Sequence, residues 1–361
     1  MPREPLEAIV LVGGQGTRLR PLTLSAPKPL LPTAGVPFLA HLLAGAAAGG
    51  VTHVVLATCY KANMFAESLG DGSAFGLSID YVQEEVPLDT GGGIRNAASG
   101  LRAGPGDPVV VLNSDILSGH DLAAQVDLHG KTDAAVTLYL TEVDDPSRFG
   151  VVPTDDSGRV TAFLEKAPDP VTNRINAGCY VFRREVIDQI PAGRRVSVER
   201  ETFPSLIASG QLVMGYEESA YWLDVGTPQT FVRGSCDLVL GRLPAPAVPG
   251  PPGPSLLLSG ASVAPDASVS GGTVVGAGAS VGAGATVSGS VLFEGAVVGE
   301  GAVVRDSIVG RGAVIAPGAV LEEAVVGDGA FIGAGNELAR GIRIWPGVRL
   351  EPTSVRFSSD V

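Results

Sequence analysis

The chain has 361 residues, 45% of them hydrophobic, which is enough to bury the cores of about two or three domains. A net charge of −13 with only 25 Lys and Arg excludes a long polyanion such as nucleic acid as partner, because that binding depends on clustered cations. A small anion is compatible, since a few fixed cations and backbone N–H groups in one cleft suffice for it.

In chain order, Met1 to Pro5 pass directly into a short apolar run, without the long apolar stretch and cleavage site of a signal peptide. Leu6 to Val12 reads as a first strand, followed by a glycine-rich turn. Pro37 to Ala48 reads as a helix and the β-branched Val51 to Thr58 as a second strand. The longest apolar stretch, Leu42 to Cys59, is broken by glycines and His53, so no membrane partner is expected. Cys59, Cys179 and Cys236 are odd in number and lack metal-type spacing, which suits reduced core thiols and a cytoplasmic location. Val109 to Leu112 forms a later strand leading into Asn113, Ser114 and Asp115. Alternating units of this kind imply a mainly parallel α/β sheet whose ligand crevice lies beyond the strand carboxyl ends, where the glycines after Val12 and the Asp115 carboxylate both fall.

Residues 241–255 are rich in Pro and Gly and read as a linker. Beyond it aliphatic residues recur every sixth position: Val263, Val269, Val275, Val281, Val287 and Phe293, then Val297, Val303, Val309, Ile315 and Leu321, then Val326, Ile332, Leu338, Ile344 and Leu350. A hexad repeat with Gly, Ala and Ser between is the pattern of a parallel β-helix, each hexad giving one short strand and one inward aliphatic side chain. The breaks near 293 and 321 are expected to be loops. The domains expected are therefore 1–240, α/β; 241–255, linker; and 256–361, β-helix.

The strongest local signal is Gly13-Gly14-Gln15-Gly16-Thr17-Arg18 after the first strand, with Pro27-Lys28-Pro29 following. Glycines let a backbone approach phosphates closely, and Arg18 adds a fixed cationic fork. Leu19 stands where a dinucleotide fingerprint needs its third glycine, and no Gly-Lys-Ser/Thr follows, so neither that motif nor a P-loop is present. With Phe163-Leu164-Glu165-Lys166, Asn176-Ala177-Gly178 and Trp222 to Pro228 in the same order, the chain resembles the sugar-1-phosphate nucleotidyltransferases. Leu22 to Leu30 is most similar to the mannose-1-phosphate guanylyltransferase branch.

The resemblance implies an α/β fold, with a Rossmann-like nucleotidyltransferase domain followed by a left-handed parallel β-helix. It also implies attack of a sugar 1-phosphate, here mannose 1-phosphate, on the α-phosphorus of GTP. Arg18 and Lys28 would hold the triphosphate, Lys166 the sugar phosphate, and Asp115 and Asp224 a Mg²⁺ ion. Val12, Gly13, Gly14, Gly16, Thr17, Glu84 and Thr90 would line the nucleotide site, and Gly150, Glu165 and Asn176 the sugar site. Glu84 matches guanine because a carboxylate only accepts, and guanine presents two adjacent donors, N1–H and the N2 amino group. Gln83 next to it keeps another base open, so a UTP, dTTP or ATP enzyme acting on glucose 1-phosphate is the alternative, beside a non-catalytic regulatory relative. Asp89 stands where the family has glycine, and Ser114 where it has another. A β-helix acyltransferase is disfavoured, because His41, His53, His120 and His129 all precede the linker. The β-helix instead suits assembly into a homo-oligomer.

Overall fold

The computed structural model describes Pro5 to Arg356; Met1 to Glu4 and the residues from Phe357 onward, which belong to the expected N-terminal segment and the end of the β-helix, lie outside the described residues. The chain forms two compact units: 5–14 with 42–222, and 15–41 with 223–356. These units divide the chain differently from a single linear series of domains, because the segment 15–41 clusters with the C-terminal part.

In the first unit, β1 (Leu6–Leu11), β2 (Val51–Thr58), β3 (Ser78–Gln83) and β4 (Pro108–Asn113) form a parallel block in the order β4-β1-β2-β3. The strand β5 (Arg174–Arg183) continues it antiparallel to β4, and nine strands are joined in this sheet. Ala8, Ile9 and Val10 are fully buried, as expected of a central strand covered on both faces. Ile9, Val55, Val111, Tyr180, Phe182 and Phe203 belong to one core cluster beside β1. The predicted second strand has the observed bounds, while the first ends one residue early and the helix runs Phe38–Ala48. No helix among the described residues is long and apolar enough to cross a membrane.

In the second unit, residues 255–350 form three parallel sheets of six, six and five strands, consistent with a left-handed β-helix. Partners in successive coils, such as Val274↔Val291, Val291↔Ile308 and Ile308↔Val325, are 17 residues apart. Hexads would need 18, so each of these coils has one corner that is a residue shorter. The shortened corners hold the left-handed residues Gly289, Asp306 and Glu323, with φ of 53°, 47° and 51°. They correct two expectations: the register breaks are tight corners rather than loops near 293 and 321, and three inward positions shift by one residue. Leu292, Val298 and Val304 fill the core, whereas Phe293, Val297 and Val303 do not belong to it. Adjacent apolar pairs such as Val297-Val298 hide that shift from a simple count.

A ladder of hydroxyls replaces backbone acceptors at the same corner. The N–H of Ser290 donates to Thr273 Oγ1 (3.2 Å), that of Ser307 to Ser290 Oγ (3.1 Å) and that of Ala324 to Ser307 Oγ (3.0 Å). Each is a buried donor that would otherwise cost about 1–3 kcal/mol unpaired. The helix Pro228–Val239 packs on the first coils, where a Cβ on Gly272 would meet Cys236 O at 2.6 Å. Residues 241–254 contain no helix or strand, but they are tied back by the Gly253 N–H, which donates to Val239 O at 2.9 Å.

Candidate functional site

In the first unit the parallel strands end together, with Asn113 as the last residue of β4, and the residues beyond their carboxyl ends are Val12 to Gly14, Cys59, Glu84, Ser114 and Asp115. Val12 is buried, its N–H donating to Ala57 O, and a Cβ on Gly13 would lie 3.5 Å from Cys59 Cβ. Asn113 packs on Gly178, where a Cβ would come within 3.0 Å of Asn113 Nδ2, so the Asn113-Ser114-Asp115 and Asn176-Ala177-Gly178 motifs meet. Asn176 donates to Tyr180 Oη at 2.8 Å and accepts from Gly178 N–H at 3.2 Å, which fixes its amide. Gly150 pairs with Glu165 across a short antiparallel ladder, and Lys166 Nζ lies 3.6 Å from Glu165 Oε1. Lys166 adopts a left-handed φ of 50°, and its N–H donates to Phe149 O at 3.0 Å. Gly150, Glu165 and Lys166 are thus brought together by one short antiparallel strand pairing.

Glu84 is buried, and one of its oxygens accepts from Leu88 N–H at 2.9 Å, bracing the Pro87-Leu88 turn. Burial pushes its carboxyl above the ordinary value, opposed by the Leu88 hydrogen bond and reinforced by the neighbouring Asp89. Burial and Glu84 likewise push the Cys59 thiol up. Asp89 has φ 64°, the region that favours glycine. Its carboxylate accepts from Thr90 N–H at 2.9 Å and lies 3.9 Å from Arg195, a partner that no sequence motif announced. Thr90, expected at the nucleotide, has its hydroxyl committed to Glu199 (2.8 Å) and to Val198 N–H (3.0 Å).

In the second unit three separated motifs converge. Gly16 has φ 60°, and a Cβ there would come 2.9 Å from Lys28 Cβ and 3.0 Å from Thr23 Cγ2, so only glycine lets Pro27-Lys28-Pro29 close on the loop. Thr23, absent from the expected site, locks that approach by donating to Gly16 O at 3.0 Å. Arg18 reaches the Trp222–Pro228 motif: a Cβ on Gly226 would lie 2.6 Å from Arg18 Nη2 and 2.9 Å from Asp224 Oδ1. Thr17 and Arg18 are exposed beside them in a short 3₁₀ turn. A guanidinium, an ammonium and a carboxylate from three separated segments are thus gathered around the Gly16 turn, a combination of the kind that can take an anionic group.

Asp115, in the first unit, and Asp224, in the second, each carry a carboxylate, a hard oxygen donor. No group of three or more His, Cys, Asp or Glu side chains among the described residues forms a ready-made cage. One or two carboxylates completed by phosphate oxygens and water suit a hard divalent cation, so the donor chemistry fits such an ion. A cavity of about 780 Å³ opens at the opposite, amino ends of the parallel strands, lined by Leu6, Glu7, Thr52, His53, Ser78 and Pro108 among others. There His53 is held between Glu7 (2.5 Å) and Asp80 (2.9 Å), a structural network at the wrong end of the sheet for the motifs above.

The profile of the nucleotidyl transferase family matches residues 7–239, and that of the GMPPB C-terminal domain matches residues 252–332. A mannose-1-phosphate guanylyltransferase of Mycobacterium tuberculosis is 58% identical over 268 residues, 74% of each chain. The mannose-1-phosphate guanyltransferase of Candida albicans is 40% identical over 64% of each chain. Among solved structures, HddC from Yersinia pseudotuberculosis superposes with a TM-score of 0.56 at 27% identity, covering 64% of this chain and 99% of that one. A second structure of that protein, complexed with GMP-PN, gives 0.55. The chain therefore belongs to the nucleotidyl transferase family and, within it, to the mannose-1-phosphate guanylyltransferases.

Proposed function

We propose that this enzyme transfers a guanylyl group from GTP to mannose 1-phosphate, giving GDP-mannose and pyrophosphate, through the residues assembled above. The observation that carries the residue assignment is the convergence of Gly16, Arg18, Lys28 and the Asp224–Gly226 turn in one compact unit. A phosphate oxygen of mannose 1-phosphate attacks the α-phosphorus; the new O–P bond forms as the bond to the β-phosphate oxygen breaks, and its electron pair leaves with pyrophosphate. The attacking oxygen is already ionised near neutral pH, so no general base is required.

Both reactants are anions, and the work of the site is to align them and neutralise charge. Arg18 and Lys28 carry the triphosphate, with the backbone of Val12, Gly13, Gly14, Gly16 and Thr17 around it and Thr90 bracing the nucleotide side. Lys166 carries the sugar phosphate, while Gly150, Glu165 and Asn176 face the sugar hydroxyls. Glu84 accepts from the guanine N1–H and N2 amino group. The guanine nucleotide named with the Yersinia structure supports that choice of base. Asp115 and Asp224 would hold Mg²⁺, which when bound neutralises phosphate charge.

The division of labour assigned is 1–240 for the chemistry, 241–255 for the connection and 256–361 for the scaffold. A cytoplasmic location is supported by the thiols of Cys59, Cys179 and Cys236, none of which is paired. Assembly of copies through the β-helix is supported by Trp345 and Val348, which are 47% and 36% exposed on its last coils; a sedimentation mass of one chain would refute it.

The test crosses GTP, UTP, dTTP and ATP with mannose 1-phosphate and glucose 1-phosphate in Mg²⁺ and records pyrophosphate release. The fastest pair is GTP with mannose 1-phosphate, and Asp115→Asn lowers its rate by about 100-fold or more. A faster second pair would reassign base or sugar, and an unchanged Asp115→Asn rate would remove Asp115 from the site.

A further inference from the structure

We propose that Asp328 and Arg343, on the last coils of the β-helix, are positioning residues for the phosphate-binding loop. The loop between Gly16 and Leu31 contains only 3₁₀ turns, at Thr17–Leu19, Leu22–Leu24 and Lys28–Leu30. The backbone hydrogen bonds within such a segment close only single i→i+3 turns, which do little to fix one turn against the next, and ordering each residue costs roughly 1–2 kcal/mol of backbone entropy, so contacts from outside help to hold it.

The β-helix provides that hold at several points. Ser25 Oγ donates to Asp328 Oδ2 at 2.6 Å, a hydrogen bond between residues 303 apart in the chain. Arg343 Nη1 donates to Arg20 O at 2.9 Å, across 323 residues. Asp328 is itself oriented by Arg311 N–H, which donates to its other oxygen at 2.8 Å. Farther along the segment, Ala34 N–H donates to Ser235 Oγ at 2.9 Å, and a Cβ on Gly35 would lie 2.9 Å from Leu258 Cδ2 and 3.3 Å from Leu256 Cδ2. The segment is therefore fastened to the last coils near Arg20 and Ser25 and to the first coil near Gly35. Arg18 lies two residues before one clamp and Lys28 three after the other. Buried Leu19, Leu22, Pro27 and Pro29 seat the rest of the loop.

These clamps couple the repeat domain to nucleotide binding through one short stretch of backbone. Neither Asp328 nor Arg343 touches substrate in this scheme; they act through the carbonyl of Arg20 and the hydroxyl of Ser25. The inference rests on residues 15–30 being the triphosphate-binding loop, and its test separates the two ideas.

In the full chain, Ser25→Ala combined with Arg343→Ala removes both clamps and leaves Asp328 to hold Arg311. Expected are a rise of about ten-fold in the GTP KM, a matching weakening of GTP binding by calorimetry, and a mannose 1-phosphate KM within about two-fold of the parent. Amide hydrogen exchange should accelerate in residues 16–31 and stay unchanged in the β-helix. Arg343→Lys keeps one donor and should restore most of the GTP affinity. Unchanged GTP affinity, or equal losses for GTP and mannose 1-phosphate, would overturn the inference, as would exchange that accelerates throughout the β-helix. If the parent binds GTP but turns over no sugar phosphate, the reaction assigned above fails, and the clamps are still judged by GTP affinity and exchange.

Discussion

At Gly226 the local backbone is ordinary, and the constraint comes from a side chain: a Cβ would press on the far end of Arg18. A flexible guanidinium can move aside at small cost, so Gly226→Ala should leave the fold intact and misplace the cation. We expect a thermal midpoint within about 4 °C of the parent, since roughly 1 kcal/mol shifts a chain of this size by only a few degrees. The kcat/KM for GTP should fall by about 100-fold, the scale of loss from an ångström of misalignment. Pyrophosphate release at limiting GTP decides it, and activity within about two-fold of the parent would show that Arg18 tolerates displacement. Asp89 illustrates the converse case. Its backbone is one that glycine adopts more readily, and the carboxylate offsets the strain locally by accepting from Thr90 N–H while facing Arg195. An aspartate is thus accommodated in a backbone conformation that favours glycine by a hydrogen bond to the next N–H.

At the scale of elements, the helix Leu122–Thr132 packs on the strand Val136–Glu142, and His129 is buried there with Nδ1 3.0 Å from Thr137 Oγ1. Burial, helped by nearby Arg183 and opposed by Asp133, pulls the imidazole down from 6.5 to about 4. Below pH 6.5 the unfolded chain takes up a proton that the folded chain refuses, so stability falls as pH drops from about 6.5 to about 4. The full effect is about 3 kcal/mol, and burial lowers His41 and His120 in the same direction. Urea melts between pH 7 and pH 4.5 should show that loss, and His129→Gln should flatten the slope. A variant with the parent's slope would place the protonation elsewhere. The β-helix shows a second element-scale device, in which one short corner per coil is closed by a stacked hydroxyl. Replacing the hydroxyl at Ser307 would strand the Ala324 N–H in the interior.

At the scale of the molecule, the loop bearing Arg18 and Lys28 belongs to the same compact unit as the repeats. A chain ending at residue 240 would keep every side chain proposed for the reaction and lose the surfaces that hold residues 20, 25 and 35. We expect that fragment to retain the parallel sheet by circular dichroism, to lose pyrophosphate release with GTP and mannose 1-phosphate, and to be cleaved by protease within residues 15–36. A fragment with parental activity would show that the sheet unit alone orders the loop.

Hydrophobic periodicity is a local property, which is why the α/β alternation, the strand Val51–Thr58 and the β-helix were all legible in the sequence. Glycine-rich turns after strands are equally local, and they marked Gly13 to Arg18 and Asn113 to Asp115 as places for chemistry. The inward register of the repeats was not legible, because doublets such as Val297-Val298 and Val303-Val304 read alike until the corner length is known. Nor were the hydrogen-bond partners of Thr90 and Glu84, the Glu199 carboxylate and the Leu88 N–H. The pairing of Ser25 with Asp328 and of Arg20 with Arg343 had no sequence signal whatever: these are ordinary polar residues, more than 300 positions apart, and their meaning comes only from the coil that carries them back to the loop. Residue types and their spacing thus determined which elements form and what chemistry is at hand. Which carboxylate, hydroxyl or backbone atom each residue meets was decided by tertiary packing, because hydrogen bonds act over about 3 Å in space and are indifferent to distance along the chain.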